Sequence, residues 1–351
     1  MSSSDVGKEG VGGARPGREA EIGRGPDGRG RGGRKQGGRR RGGRGEKAMV
    51  PEAEFTSYYG KPILNPPVWK SLDIAGYFFL GGLAGAGSVL AAGAELTGRP
   101  AAARALKLSS LAAIGGSTAA LVHDLGRPGR FYNMLRVMKP TSPMSVGSWL
   151  LAAYGPAAGA AAMLEVTGLF PRLGRAATAG AAALGPAVAA YTAVLAADTA
   201  VPAWHEAYRE LPFVFTGSAA AAAAGMGLVT APVRENAPMR TAAVFGAGLE
   251  LAAAKTLERR AGLAAEPYKR GRGRAYMRAG EILSAAGTAG CVLFGGRSRA
   301  AAALSGAALL ASSACTRFGV FHAGVQSAED PKYTVVPQRE RLAARGPAPA
   351  S

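Results

Sequence analysis

Long stretches of the chain carry no charge, and their lengths set the first expectation. Between Asp73 and Glu95 lie 21 uncharged residues, between Lys139 and Glu165 lie 25, between Arg175 and Asp198 lie 22, and between Glu210 and Arg234 lie 23. A helix rises 1.5 Å per residue, so about 20 residues cross a hydrocarbon core of ~30 Å. Soluble Ala-rich helices of that length place Glu and Lys along one face; these runs do not, and they predict membrane spans. Four further segments are shorter or interrupted: Lys107–His123, Arg240–Lys255 (broken by Glu250), Glu281–Arg297 and Arg299–Arg317. They predict spans buried between other helices. The expected fold is an all-α membrane protein of eight transmembrane helices, roughly at 72–94, 104–123, 144–166, 176–198, 212–233, 238–256, 278–296 and 299–321.

Composition refines this picture. Hydrophobic residues are 48% of the 351, but mean hydropathy is only +0.07, because Ala and the 52 Gly fill the apolar stretches. Small-xxx-small spacings such as Gly81/Gly85 and Gly155/Gly159 suit close helix packing. Pro156, Pro186 and Pro202 are expected to kink or end helices. Trp69 and Tyr77 read as interfacial aromatics flanking the first span. Cys291 and Cys315 each sit in an apolar run, and two cysteines cannot supply the four ligands of an iron–sulfur cluster.

Residues 1–48 differ from the rest. They are Gly/Arg-rich, with 13 Lys and Arg against 6 Asp and Glu, and lack apolar periodicity. Such a segment reads as a disordered tail. No apolar stretch follows the charges, so it is not a secretory signal, and a start at Met49 is the alternative. Arg-Gly stretches can bind RNA or acidic lipid heads, but in a polytopic chain no nucleic-acid partner is expected. Residues 49–71 form a lead-in segment, and 326–351 a C-terminal tail.

With eight spans both termini share a side, together with the loops after even-numbered helices. Those loops hold Arg127, Arg130, Arg136, Lys139, Arg209 and the dense run from Arg259 to Arg278, so the positive-inside rule puts the termini in the cytoplasm. His123, His205, His322, Asp73, Asp124, Asp198 and Glu206 fall on that same side, whereas Glu95 and Glu165 end helices 1 and 3 on the other. A charged side chain at mid-span costs about 2.5–3.5 kcal/mol, so such clustering marks chemistry.

The segment from His123 to Ser145 is the richest. It leaves helix 2, turns at Gly126 and Pro128, runs on as a basic amphipathic stretch, and enters helix 3 with Ser142 or Ser145 available as a cap. One reading pairs Asp124 with a nearby Arg and lays the basic stretch on anionic lipid heads. The other makes the loop a lid over a head-group pocket, with His123, Asp124 and Tyr132 as hydrogen-bond or proton partners. Quinone reduction takes up protons at its carbonyl oxygens and would use such groups.

The residues Asp124-Leu-Gly-Arg-Pro-Gly-Arg-Phe-Tyr-Asn-Met-Leu-Arg136, followed by Lys139-Pro-Thr-Ser-Pro-Met-Ser-Val-Gly-Ser-Trp149, resemble the hallmark loop of the NrfD/polysulfide reductase membrane-subunit family. Tyr77-Phe-Phe-Leu-Gly-Gly-Leu-Ala-Gly-Ala-Gly87 and Val201-Pro-Ala-Trp-His-Glu206 support the likeness, which spans about residues 69 to 325. The resemblance implies two four-helix bundles, here 72–198 and 199–325, in a multi-pass protein of the bacterial cell membrane. It implies a quinone (menaquinone or ubiquinone) bound in the first bundle beside loop 123–145, no haem, and no iron–sulfur cluster in this chain. The implied partners are a ferredoxin-like iron–sulfur subunit and a molybdopterin-type catalytic subunit. The chain itself would be a quinone-reactive subunit without a catalytic metal. Relatives often face those partners outward, whereas the charge count here favours inward.

Candidate site residues are therefore His123, Asp124, Arg130 and Tyr132 for the quinone, and Arg127, Arg136 and Lys139 for partner docking. Asp198 and His205 are secondary candidates. A different function class, proton or ion translocation, would use Glu95 and Glu165 as a proton path, with Glu250, Lys255 and Glu281 extending a partial relay. Against it stands the reading that these residues sit at helix ends and snorkel to water. A passive membrane anchor for a redox partner is the third possibility.

Overall fold

The computed structural model describes residues 63–345 and, near the amino terminus, a short antiparallel strand pair, Val6–Gly7 with Gly10–Val11. The tail reading of residues 1–48 otherwise lies outside the described residues, as do the Met49 start and most of the lead-in.

Residues 63–345 form one compact helical unit. Its helices are α1 (Ser71–Leu96), α2 (Pro100–Asp124), α3 (Pro143–Thr167), α4 (Pro171–Ala197), the single turn α5 (Pro202–His205), α6 (Leu211–Thr230), α7 (Ala237–Arg260), α8 (Gly271–Leu293), α9 (Arg299–Glu329) and α10 (Lys332–Arg345). Six of them, α1–α4, α6 and α9, are long and apolar enough to cross a membrane. The chain is a multi-pass membrane protein. The other two long helices, α7 and α8, carry Arg240, Glu250, Lys255 and Glu281 within their length and fall short in apolarity.

Several boundaries differ from the sequence expectation for one reason: a helix continues past the hydrocarbon when its ends are capped or its charges reach water. Proline, which suits the first helical turn, starts α2, α3, α4 and α5. Thus α2 begins at Pro100 and α4 at Pro171, ahead of the uncharged runs. At its start α8 takes in Arg272, Arg274 and Arg278, and α9 runs on to Glu329. Pro156 and Pro186 lie inside α3 and α4 without ending them.

Helices α1 to α4 pack among themselves, α6 to α9 likewise, and α1 and α4 meet α6 across the middle. Close approach is made by small residues. A Cβ added at Gly85 or Gly185 would strike the other's backbone, so α1 and α4 touch there, and Gly217/Gly246 bring α6 onto α7 in the same way. Gly155 and Gly159, expected to do this in α3, face open space and a distant leucine methyl. The Gly81 side of α1 meets Ser117 instead.

Candidate functional site

The start of α1 and the end of α2 are pinned to each other by the two residues that open the hallmark loop. His123 Nδ1 lies 2.8 Å from Asp73 Oδ2, and the Lys70 backbone N–H donates to Asp124 Oδ1 at 3.1 Å. Asp124 therefore holds the residue that precedes α1, whose own side chain makes no cap. Gly126 then reverses the chain at φ 66°, in the left-handed region that costs glycine least. A 3₁₀ stretch from Pro128 to Leu135 follows. Ser145, inside the first turn of α3, donates to Val137 O at 3.1 Å and accepts from Lys139 N–H at 2.9 Å. It ties the loop back onto α3, while Ser142 holds the N-cap position without a side-chain cap bond.

Beneath this loop is a cavity of about 80 Å³, walled by Trp69, Tyr77, Leu121, Asp124, Met134, Met144, Ser148 and Tyr191 among others. Tyr77 is 1% exposed, and its hydroxyl lies beside that of Tyr191 without a hydrogen bond of full geometry. It is a cavity residue and not the interfacial aromatic that its place near the end of the span suggested. Tyr191 is seated against α3 because residue 147 is glycine; a Cβ there would overlap its ring. Tyr154, the third tyrosine within the uncharged runs of the first four helices, is satisfied. Its hydroxyl donates to Ala84 O at 2.6 Å and accepts from Ser88 Oγ at 2.7 Å. Tyr77 Oη is thus one of several buried polar atoms without a full hydrogen bond, and the one that lies on the cavity wall beneath the loop.

Of the four residues expected at the pocket, only Asp124 lines it. His123 is exposed and committed to Asp73. Arg130 and Tyr132 point outward on the loop, Tyr132 with 68% of its surface exposed. Arg127, Arg136 and Lys139 are exposed on the same face. Tyr77 and Tyr191 escaped the sequence reading. The signal for them was a hydroxyl inside an uncharged run, since a buried phenol needs a partner.

The neighbouring α4–α6 loop closes the face. Trp204 is fully buried, donates from Nε1 to Val320 O at 2.8 Å, and stacks on Trp69 with ring centroids 5.7 Å apart. Asp198 caps the end of α4, and His205 Nδ1 sits 3.3 Å from Ala197 O, so both finish a helix at the surface. Glu210 is held by a two-pronged contact from Arg260, at 2.5 and 2.7 Å. Those hydrogen bonds hold the Glu210 carboxyl below its usual range.

At the opposite end of the helices, Glu95 and Glu165 do not stand apart. Lys107, 5% exposed, reaches both, at 2.7 and 2.8 Å. Glu250 is buried on α7, with one oxygen accepting from Thr316 Oγ1 at 2.6 Å and the other unpartnered. Lys255 lies 3.6 Å from Glu281. Arg317 is fully buried, donates to Phe215 O at 2.7 Å and lies 3.8 Å over the Phe215 ring, with Nε and Nη1 unpartnered.

Comparison with known families gives a match to "Polysulphide reductase, NrfD" over residues 61–257, more than half of the chain. No curated protein matches. The matched region takes in the hallmark loop, the cavity beneath it and the Trp204 turn, and agrees with the resemblance carried by the loop residues. The chain belongs to the polysulphide reductase NrfD family, as an integral membrane protein of the kind found in redox complexes.

Proposed function

We propose that this chain is the quinone-binding membrane subunit of a multi-subunit oxidoreductase and exchanges electrons with an iron–sulfur partner docked on the loop face. The observation that carries this reading is the Tyr77–Tyr191 hydroxyl pair: two buried phenols side by side on the wall of a cavity roofed by the hallmark loop, with Tyr77 Oη lacking a hydrogen bond of full geometry. A quinone carbonyl is a stronger acceptor for such a hydroxyl than a neighbouring phenol oxygen, so the residues fit the group. Bound there, a quinone supplies two-electron, two-proton chemistry. Tyr77 would hold the carbonyl oxygen in place, and the half-buried Asp124 on the same wall would pass protons between that oxygen and the loop side.

The cavity is tight. Small-molecule sites commonly run to about 300–1,000 Å³, several times its size. Met134 and Met144 form its loop-side wall, and flexible thioethers adapt readily. A head group enters as the loop segment carrying Met134 shifts, so the tether through Ser145 bears on access. Arg127, Arg130, Arg136 and Lys139 present a basic surface to an acidic partner edge. The partner set is a ferredoxin-like iron–sulfur subunit and a molybdopterin-type catalytic subunit. With α7 and α8 as the remaining two spans, the fold is eight transmembrane helices in two four-helix bundles, in a bacterial plasma membrane. The loop charges favour a cytoplasmic loop face.

The translocation reading loses its first members, because Glu95 and Glu165 share Lys107 and close an ion triad. Purification in mild detergent followed by solvent extraction tests the proposal. About one quinone per chain is expected, and a chain that carries none and binds no added short-chain quinone contradicts it and favours a passive anchor. A quinone analogue is expected to shield the loop from Arg- and Tyr-directed modification.

A further inference from the structure

The largest cavity among those described lies away from the loop site. Helix α7 packs on α6 and α8 on α9, but α7 and α8 splay apart and leave a groove of about 570 Å³ between them. Its walls are mostly apolar, with Val244, Leu251 and Ala254 on one side and Ala285, Val292 and Leu293 on the other. Phe245 and Ile282, beside it, are 65% and 68% exposed, so the groove opens on the hydrocarbon of the bilayer. Along α8 the lining runs from Met277 to Leu293, about 24 Å at 1.5 Å per residue.

At the loop-face end the groove meets a second, polar cavity of about 330 Å³, and Met277 and Glu281 line both. The polar cavity is walled by Lys255, Glu258, Lys269, Arg274, Arg278 and Glu281. The two carboxylates are engaged by lysines: Lys255 is 3.4 Å from Glu258 and 3.6 Å from Glu281, and Lys269 is 3.7 Å from Glu258. Arg274 and Arg278 form no ion pair among the described residues. They sit four apart on the first turns of α8, where two like charges repel unless an anion lies between them. Guanidinium groups pair with phosphate oxygens in two-pronged fashion. Basic pockets between transmembrane helices at the membrane surface suit anionic head groups.

We infer that the α7–α8 cleft binds one anionic phospholipid, its phosphate between Arg274 and Arg278 near Lys269 and an acyl chain in the groove below. A single acyl chain fits a groove of about 570 Å³, within the small-ligand range of about 300–1,000 Å³. The guanidinium groups at its polar end favour a lipid phosphate over the apolar face of a partner's transmembrane helix. The surplus of two guanidinium groups selects an anionic lipid over a zwitterionic one, whose own cation competes.

Native mass spectrometry of the delipidated full chain, titrated with palmitoyl-oleoyl phosphatidylglycerol, tests this. One phosphatidylglycerol is expected to bind well ahead of phosphatidylcholine. The exposed double variant Arg274→Gln/Arg278→Gln is expected to weaken it roughly 30-fold while leaving phosphatidylcholine unchanged. Leu251→Trp, at the half-exposed groove edge, is expected to weaken it with the charges intact. Equal binding of the two lipids, displacement by millimolar inorganic phosphate, or displacement by decylubiquinone would each overturn the inference; the last would make the groove a quinone site. Photocrosslinking from position 251 to a partner protein instead of lipid in the assembled complex would overturn it as well.

Discussion

Lys107 on α2 and Arg317 on α9 are both cations held inside the membrane-spanning helices, yet their surroundings differ in kind. Lys107 meets two carboxylates, Glu95 from its own hairpin partner and Glu165 from α3, and closes an ion triad at the end of the first four helices. Arg317 meets a carbonyl and an aromatic face, keeps two donor atoms free, and feels the charge of Glu250 on α7, which keeps one oxygen free, with no salt bridge between the two. A buried ion pair that closes on itself is a staple, whose loss leaves uncompensated charge in low dielectric. Unpartnered polar atoms occur in both halves, Ser110 and Thr192 in the first and Glu250 and Arg317 in the second; what sets the last four helices apart is the wide α7–α8 groove. The first half of the molecule is built to hold a shape around the loop site, and the second to remain adjustable.

The largest expected effect breaks the staple. Lys107→Ala leaves Glu95 and Glu165 facing each other without their cation, and should cost about 3–5 kcal/mol, read as a large drop in thermal unfolding temperature in detergent. The triple variant Lys107→Met/Glu95→Gln/Glu165→Gln should recover most of it. A Lys107→Ala protein as stable as the parent would remove the contrast between the halves. Arg317→Met should cost less, about 2 kcal/mol, since it forfeits one hydrogen bond and the ring contact but also removes two unpartnered donors. A loss matching that of Lys107→Ala would show that Arg317 is a staple too.

Smaller still is Asp124→Ala, which frees the Lys70 N–H and should cost about 1–2 kcal/mol together with a loss of quinone turnover. Its stability deficit without a turnover deficit would make Asp124 a pin and nothing more. The mildest test concerns the loop before α6. Arg260 holds the Glu210 carboxyl below its ordinary value of 4.5, so the contact contributes stability above that pH and loses it as pH falls through the lower, folded-state value. Limited proteolysis after Arg209 should accelerate only in that acid window, and Glu210→Gln should make it faster at neutral pH and flat across the window.

Much of this architecture was legible in the chain. The four long uncharged runs became α1, α3, α4 and α6, because a span needs about 20 residues that can all enter hydrocarbon. The polar loop from His123 to Ser145 stood out by its density of His, Asp and Arg, although of the four residues expected at the pocket only Asp124 lines the cavity. What stayed hidden depended on tertiary contacts. That Lys107 would serve two glutamates 12 and 58 positions away cannot be read from a lone lysine near a helix start. Tyr77 resembled an interfacial belt residue until packing placed it at 1% exposure. His123 seemed a pocket group, but Asp73, one turn into α1, claims its ring. The α7–α8 cleft left no trace in the apolar pattern, because a groove arises from two helices failing to meet.

The central claim is that Tyr77 Oη is the donor to a quinone carbonyl beneath the loop, and a binding titration tests it most directly. Decylubiquinone binding to the purified chain, followed by quenching of its tryptophan fluorescence, should weaken roughly five- to tenfold in Tyr77→Phe. Thermal stability should stay close to that of the parent, because the hydroxyl removed makes no hydrogen bond of full geometry within the protein. Unchanged affinity in Tyr77→Phe, with the protein folded and the quinone still bound, would contradict the account and place the head group elsewhere.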